Sequence, residues 1–164
     1  MGLQKPASIA ALRSRIARLE TGYAARPDRP VLRFGLPAID GSVPAGGLLT
    51  AALHEFSGAG GDTEYGAAPA QLIAALSAQC PGTVIWVVDR DPPFAPGLAA
   101  CGLGPDRVIY AKAGKDVLGV MEDCLRHPGL AAVVGELSGR LGLTASRRLQ
   151  LAAESSGATG FALR

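Results

Sequence analysis

Gly58-Ala59-Gly60-Gly61-Asp62-Thr63-Glu64-Tyr65 is the stretch on which the reading of this chain turns. An apolar segment ending in His54-Glu55-Phe56 precedes it and reads as a strand, and the helix-like run 67–79 follows. Strand, glycine-rich turn and helix, in that order, form the context of a phosphate-binding loop. In the motif G-x-x-x-x-G-K-[ST], the lysine neutralises the β- and γ-phosphates and the hydroxyl holds Mg²⁺. Counting from Gly58, the second glycine falls on Thr63, the lysine on Glu64 and the hydroxyl on Tyr65. A carboxylate in place of an ammonium repels a triphosphate, a swing of several kcal/mol at roughly 4 Å and an effective dielectric of ~20. The local architecture is kept and the charge is reversed, so ATP hydrolysis of the ordinary kind is not expected.

Outward from that loop, α and β patterns alternate. Residues 51–56, 83–88, 108–111, 131–134 and 160–163 read as strands, and 67–79, 94–101, 116–127 and 144–155 as helices. The strands are short, β-branched and almost continuously apolar, as strands covered on both faces should be. Within 116–127, Val117, Met121 and Cys124 fall on one stripe, which assigns that methionine to the core. Such alternation predicts a mostly parallel sheet with helices on both sides. Ligands then meet the carboxyl ends of the strands: the Gly58 loop, 89–92, 112–114 and 135–139.

The region before the core differs in character. Residues 8–21 read as an amphipathic helix whose stripe is Ile9, Leu12, Ile16 and Leu19, with Gly22 as its stop. Residues 24–30, with Pro27 and Pro30, read as a linker. The chain therefore divides into 1–33, a helix and tether suited to docking, and 34–164, the α/β core. Residues 1–33 carry seven basic and two acidic side chains, a net of +5, against nine basic and twelve acidic in the rest, a net of −3. A basic arm suits nucleic acid or an acidic protein surface, and equally a solvated helix face.

Composition excludes several classes. With 48% apolar and 18% charged residues the chain is globular and not disordered. No apolar run reaches the ~20 residues that span a bilayer, and residues 1–22 lack a continuous signal-peptide core, so a cytoplasmic protein is expected. Cys80, Cys101 and Cys124 are sparse and unpaired in spacing, favouring reduced thiols over disulfides or zinc. His54 has no partner at ligand spacing and reads as a core histidine. Asp89 and Asp91, at i and i+2, are a weak cation signal by themselves. No metal and no cofactor are expected.

Phe34-Gly35-Leu36-Pro37-Ala38-Ile39-Asp40, Ala45-Gly46-Gly47-Leu48 and Gly102-Leu103-Gly104-Pro105-Asp106-Arg107-Val108 resemble, in order and spacing, the RecA-type ATPase core. That resemblance implies a RecA-like three-layer α/β domain with a mostly parallel sheet, preceded by an amphipathic helix that packs on a neighbouring protomer. A closer resemblance lies in Ala95-Pro96-Gly97-Leu98, Val133-Val134-Gly135-Glu136-Leu137 and Leu143-Thr144-Ala145-Ser146-Arg147-Arg148-Leu149-Gln150-Leu151-Ala152. These are similar to the ImuA family, degenerate RecA relatives of bacterial DNA-damage-inducible mutagenesis that are also linked to SulA. The family extends beyond the point at which this chain ends.

What the resemblance implies for sites is a dismantled ATPase. Gly58, Gly60, Gly61, Asp62, Thr63, Glu64 and Tyr65 form the degenerate nucleotide loop. The Walker B aspartate corresponds to Gly135, with Glu136 next to it on what alternation would make the opposite face. The catalytic glutamate corresponds roughly to Asp91. The first DNA loop corresponds to about residues 137–143, where Arg140, Arg147 and Arg148 are the candidate DNA contacts. That region lacks the aromatics a single strand would stack on, so DNA binding is expected to be weak or indirect.

The function expected from the resemblance is a non-catalytic accessory protein of the translesion synthesis complex, acting by protein–protein interaction. The implied partners are an ImuB-type Y-family polymerase homologue and an error-prone DnaE-type polymerase. RecA or a second copy would engage Ile9, Leu12, Ile16 and Leu19. Two other readings stay open: a weak nucleotide-binding switch or ATPase, and a SulA-like inhibitor of cell division.

Overall fold

The computed structural model describes residues 29–58 and 67–164. The N-terminal stripe of Ile9, Leu12, Ile16 and Leu19 and the loop residues Gly60, Gly61, Asp62, Thr63, Glu64 and Tyr65 lie outside the described residues. A short antiparallel ribbon comes first, β1 (Val31–Leu32) against β2 (Leu48–Leu49), with the one-turn helix α1 (Pro37–Asp40) between its strands. Then β3 (Leu53–Phe56), α2 (Ala67–Ala78), β4 (Thr83–Val88), α3 (Ala95–Ala100) and β5 (Val108–Lys112) follow. The chain closes with α4 (Val117–Arg126), β6 (Leu130–Glu136), α5 (Leu143–Ser156) and β7 (Thr159–Leu163).

The five long strands form one all-parallel sheet in the order β3-β7-β6-β4-β5. Alternation along each strand divides the core in two. On one face Val84, Trp86, Val88, Val134 and Phe161 pack under α2 and α3, through Ile73, Leu76 and Leu98. On the other Val87, Val133 and Ala158 pack under α4 and α5, through Met121, Leu125 and Leu149. Each fully buried large side chain of this kind stabilises the fold by about 1.5–3 kcal/mol. The expected three-layer arrangement is thus observed, and Met121 is wholly buried. Among the described residues no helix is long and apolar enough to cross a membrane.

Side chains distant in sequence close the elements. Arg107 holds the end of α2: Nη1 donates to the Ala78 carbonyl at 3.1 Å, Nε and Nη2 to the Gly82 carbonyl at 3.0 and 2.8 Å, and Nη2 also to Cys80 O. A guanidinium fork thereby satisfies carbonyls that a helix end leaves orphaned. Asp40 accepts from the backbone N–H groups of Phe34 and Gly35 at 2.8 and 3.1 Å, which explains the aspartate closing the Phe34–Asp40 motif. Gly157, at φ 87°, stops α5 in the left-handed region.

The observed elements differ from the sequence expectations in three places. The β1–β2 ribbon and α1 were not foreshadowed, being two and four residues long, too short for periodicity to register. The strand expected from residue 51 begins at Leu53, because Ala51 adopts φ 53°. The strand expected to end at residue 134 continues to Glu136, paired to β7 through Glu136↔Leu163.

Candidate functional site

Neighbouring strands β4 and β6 send their connections to opposite faces, β4 to α3 and β6 to α5. Where adjacent connections diverge, a parallel sheet leaves a crevice at its carboxyl edge. A cleft of about 520 Å³ lies there. Asp89, Arg90, Asp91 and Phe94 line it after β4, Glu136, Leu137 and Ser138 after β6, and Ala67 and Ala70 from α2. Leu163 and Arg164 complete the lining from the end of β7.

Glu136 is the acid at its centre. Its Oε1 accepts the indole N–H of Trp86 at 2.7 Å. Burial pushes the Glu136 carboxyl above its ordinary value, while the Trp86 hydrogen bond pulls it back down. Strand alternation puts Glu136 with Ala132 and Val134 on the α2 face. Gly135 faces the other way, under α4: a Cβ there would lie 2.6 Å from Met121 Sδ.

This corrects the sequence reading of the Walker B position. A side chain at Gly135 would point toward Met121 under α4 and away from the cleft. Glu136, expected to face away, is the residue on the cleft side. The two extra residues of β6 account for the difference.

The cations at the rim already have partners. Arg90 Nε stands 3.6 Å from Asp89 Oδ2, an exposed pair worth little in stability but sufficient to offset the charge locally. Arg164 Nε donates to Glu55 Oε1. Asp91 lines the cleft as an exposed carboxylate. The described part of the cleft thus carries three carboxylates against two guanidiniums. Gly58, at the start of the glycine-rich loop, donates its N–H to the Arg164 carbonyl at 3.4 Å.

The other candidate residues are not brought to this cleft. Arg140 lines a separate, smaller cavity of about 130 Å³ together with Lys115. Arg147 and Arg148 are exposed on α5, and Arg148 is committed to α4: its Nη2 pairs with Glu122 Oε2 and its Nε donates to Oε1 at 3.2 Å. Arg126 Nη2 reaches Glu122 Oε1 at 2.5 Å, so a carboxylate only 4% exposed serves two guanidiniums. His54 is the core histidine expected. Its Nε2 lies 2.8 Å from the Leu49 carbonyl, its ring 5.9 Å from that of Phe161, and burial pushes its pKa down.

Sequence reasoning missed Trp86 and Phe94. A lone tryptophan in a buried strand needs a partner for its N–H, and that requirement pointed to a nearby acid. Phe94, 76% exposed at the cleft mouth, carries no periodic signal.

No family model matches the chain. It is similar to Protein ImuA of Caulobacter vibrioides, in each of two strains, at 45% identity over 144 residues covering 84% of this chain. The match covers 59% of that protein, so the chain spans about three-fifths of the length of the curated relatives it matches. Among solved structures it is similar to SulA from Pseudomonas aeruginosa, with a TM-score of 0.53 and 19% identity over 68% of this chain and 96% of that one. At that identity the likeness is one of fold.

Proposed function

The chain belongs to the ImuA family over the region it shares with Protein ImuA, and from that premise we propose that it is a non-catalytic accessory protein of DNA-damage-induced translesion synthesis. The observation that carries this reading is the 45% identity over 144 residues. It acts by holding other proteins together in the cytoplasm. The partners are an ImuB-type Y-family polymerase homologue and an error-prone DnaE-type polymerase, with DNA reached weakly or through them. Residues 1–33 dock RecA or a second copy through Ile9, Leu12, Ile16 and Leu19, while residues 34–164 supply the rigid core.

The chemistry of the cleft supports a role without hydrolysis. Its described guanidiniums face carboxylates of the same chain, and its half-buried acid is engaged by an indole. Co-purification with the ImuB-type protein and with RecA tests the reading, using the full chain, a form lacking residues 1–33, and Leu12→Asp with Ile16→Asp. The full chain should retain both partners, and the other two should lose RecA or self-association. Absence of every association from the unaltered chain would refute the proposal.

A second reading has one observation in its favour: the 520 Å³ cleft lies at the strand divergence, beside the start of α2. On that reading the glycine-rich loop holds a nucleotide weakly through backbone N–H groups. Calorimetric titration with ATP and Mg²⁺ separates the two.

A further inference from the structure

The five-stranded sheet has two edges, β3 and β5, and the chain finishes them differently. Along a parallel strand, alternate residues direct both backbone groups to one neighbour. At β3, Gly160 and Arg164 donate their N–H groups to the Ala52 and Phe56 carbonyls at 2.9 Å, which turns Leu53 outward. Gln150 Oε1 accepts that outward Leu53 N–H at 2.9 Å, and the charged Glu55 stands in the middle of this four-residue strand. A short strand, a charge and a side-chain staple all blunt an edge.

β5 has none of these devices. Ala113 donates its N–H to the Val88 carbonyl at 2.9 Å, so Ile109 and Ala111 are turned to β4, and Val108, Tyr110 and Lys112 outward. The Val108 N–H is used locally, by the Pro105 carbonyl. No described residue meets the Val108 carbonyl or the N–H and carbonyl of Tyr110. The strand runs five residues in unbroken register with β4, and Ile109 near its middle is 55% exposed. Its charges stand at the ends: Asp106 just before it and Lys112 as its last residue, both exposed. Neither has an ion pair among the described residues.

We infer that β5 is a dimerisation edge, pairing antiparallel with β5 of a second copy so that the two sheets become one. A two-fold axis through Ile109 then sets every pair. Ile109 meets Ile109 of the second copy at a non-hydrogen-bonded position, where Cα atoms stand about 4.5 Å apart. Tyr110 lies opposite Val108, and its N–H donates to the Val108 carbonyl across the axis, once in each direction. Lys112 lies opposite Asp106 of the second copy, again in both directions. Moving the axis to Tyr110 or Ala111 leaves both charges without a counterpart. This self-complementarity of backbone, apolar and charged groups selects a second copy over a strand of another protein. The pairing goes beyond the accessory-protein reading and uses neither residues 1–33 nor the cleft.

Sedimentation velocity on the full chain, over a range of micromolar concentrations, tests it. The expected result is a concentration-dependent dimer, at least about tenfold weaker in Ile109→Lys and in Lys112→Glu, since each change acts twice across the axis. Adding Asp106→Lys to Lys112→Glu should restore it. Under mild oxidation Ile109→Cys should form a covalent dimer, because a spacing of about 4.5 Å suits a disulfide. Lys112→Cys and the parent, with its own three cysteines, should not. A monomeric parent, variants that dimerise as the parent does, a charge swap without rescue, or equal crosslinking at positions 109 and 112 would overturn the pairing. So would a dimer lost in Leu12→Asp with Ile16→Asp but kept in Ile109→Lys, which would place self-association in residues 1–33. Should Ile109→Lys fail to fold, as judged by its thermal melt, the crosslinking comparison decides. Neither assay contains RecA or a polymerase homologue, so failure here is distinct from failure of the proposed function.

Discussion

The indole N–H of Trp86 donates to Glu136 Oε1 at 2.7 Å, joining the middle of β4 to the carboxyl end of the adjacent strand β6. A fully buried tryptophan thereby holds a half-buried acid at the cleft, on the same side of the sheet as α2. Both members contribute: the indole would otherwise bury an unmet donor, and the carboxylate would otherwise turn toward solvent.

The pair has a defined pH signature. Burial raises the folded-state pKa of Glu136 above its unfolded value. Its contribution to stability is therefore whole below the unfolded pKa and is lost as pH rises through the folded one. Glu136→Gln keeps the acceptor and removes the charge. Urea denaturation from pH 4 to pH 8 should show the parent losing stability relative to this variant as pH rises. Glu136→Ala, which orphans the indole, should cost about 1–3 kcal/mol at pH 4 and less as pH rises.

Gly135→Asp, which would restore a carboxylate at the aligned Walker B position, should instead damage the core. Its Cβ would lie 2.6 Å from Met121 Sδ on the face away from the cleft. Overpacking together with a buried, unpaired charge predicts a loss of about 3 kcal/mol or more in chemical denaturation. Adding Met121→Ala should recover part of that loss.

Arg107→Ala should destabilise the fold by about 2–3 kcal/mol, since three separate carbonyls at the end of α2 lose a charged donor. Arg107→Lys should recover less than half, because a point charge cannot reproduce the fork. Thermal melts of the two variants decide it.

His54 acts in the opposite sense to Glu136. Burial lowers its folded-state pKa, so its contribution is whole above the unfolded value of about 6.5 and declines as pH falls through the folded one. A ring-proton titration by NMR should place the His54 pKa below the ordinary imidazole value of about 6.5.

The sheet was legible because its strands are β-branched runs covered on both faces, and four of the five start within one residue of where composition places them. The register at the site was not. A glycine at the end of an apolar run looks like a terminator, whereas Gly135 continues the strand because Met121 lies over it. Alternation of Ala132, Val134 and Glu136 held that information in the sequence. The commitments of Arg107 and Arg148 could not be read in advance. Arg107 reaches the carbonyls at the end of α2, and Glu122 lies 26 residues from Arg148, beyond any periodic signal.

The central claim is that the protein works by contact and not by nucleotide chemistry. Calorimetric titration of ATP and Mg²⁺ into the full chain, with the emission of its one tryptophan, Trp86, as a second signal, tests it directly. No saturable heat and no change in emission are the predicted result. Low-micromolar affinity accompanied by phosphate release would contradict it.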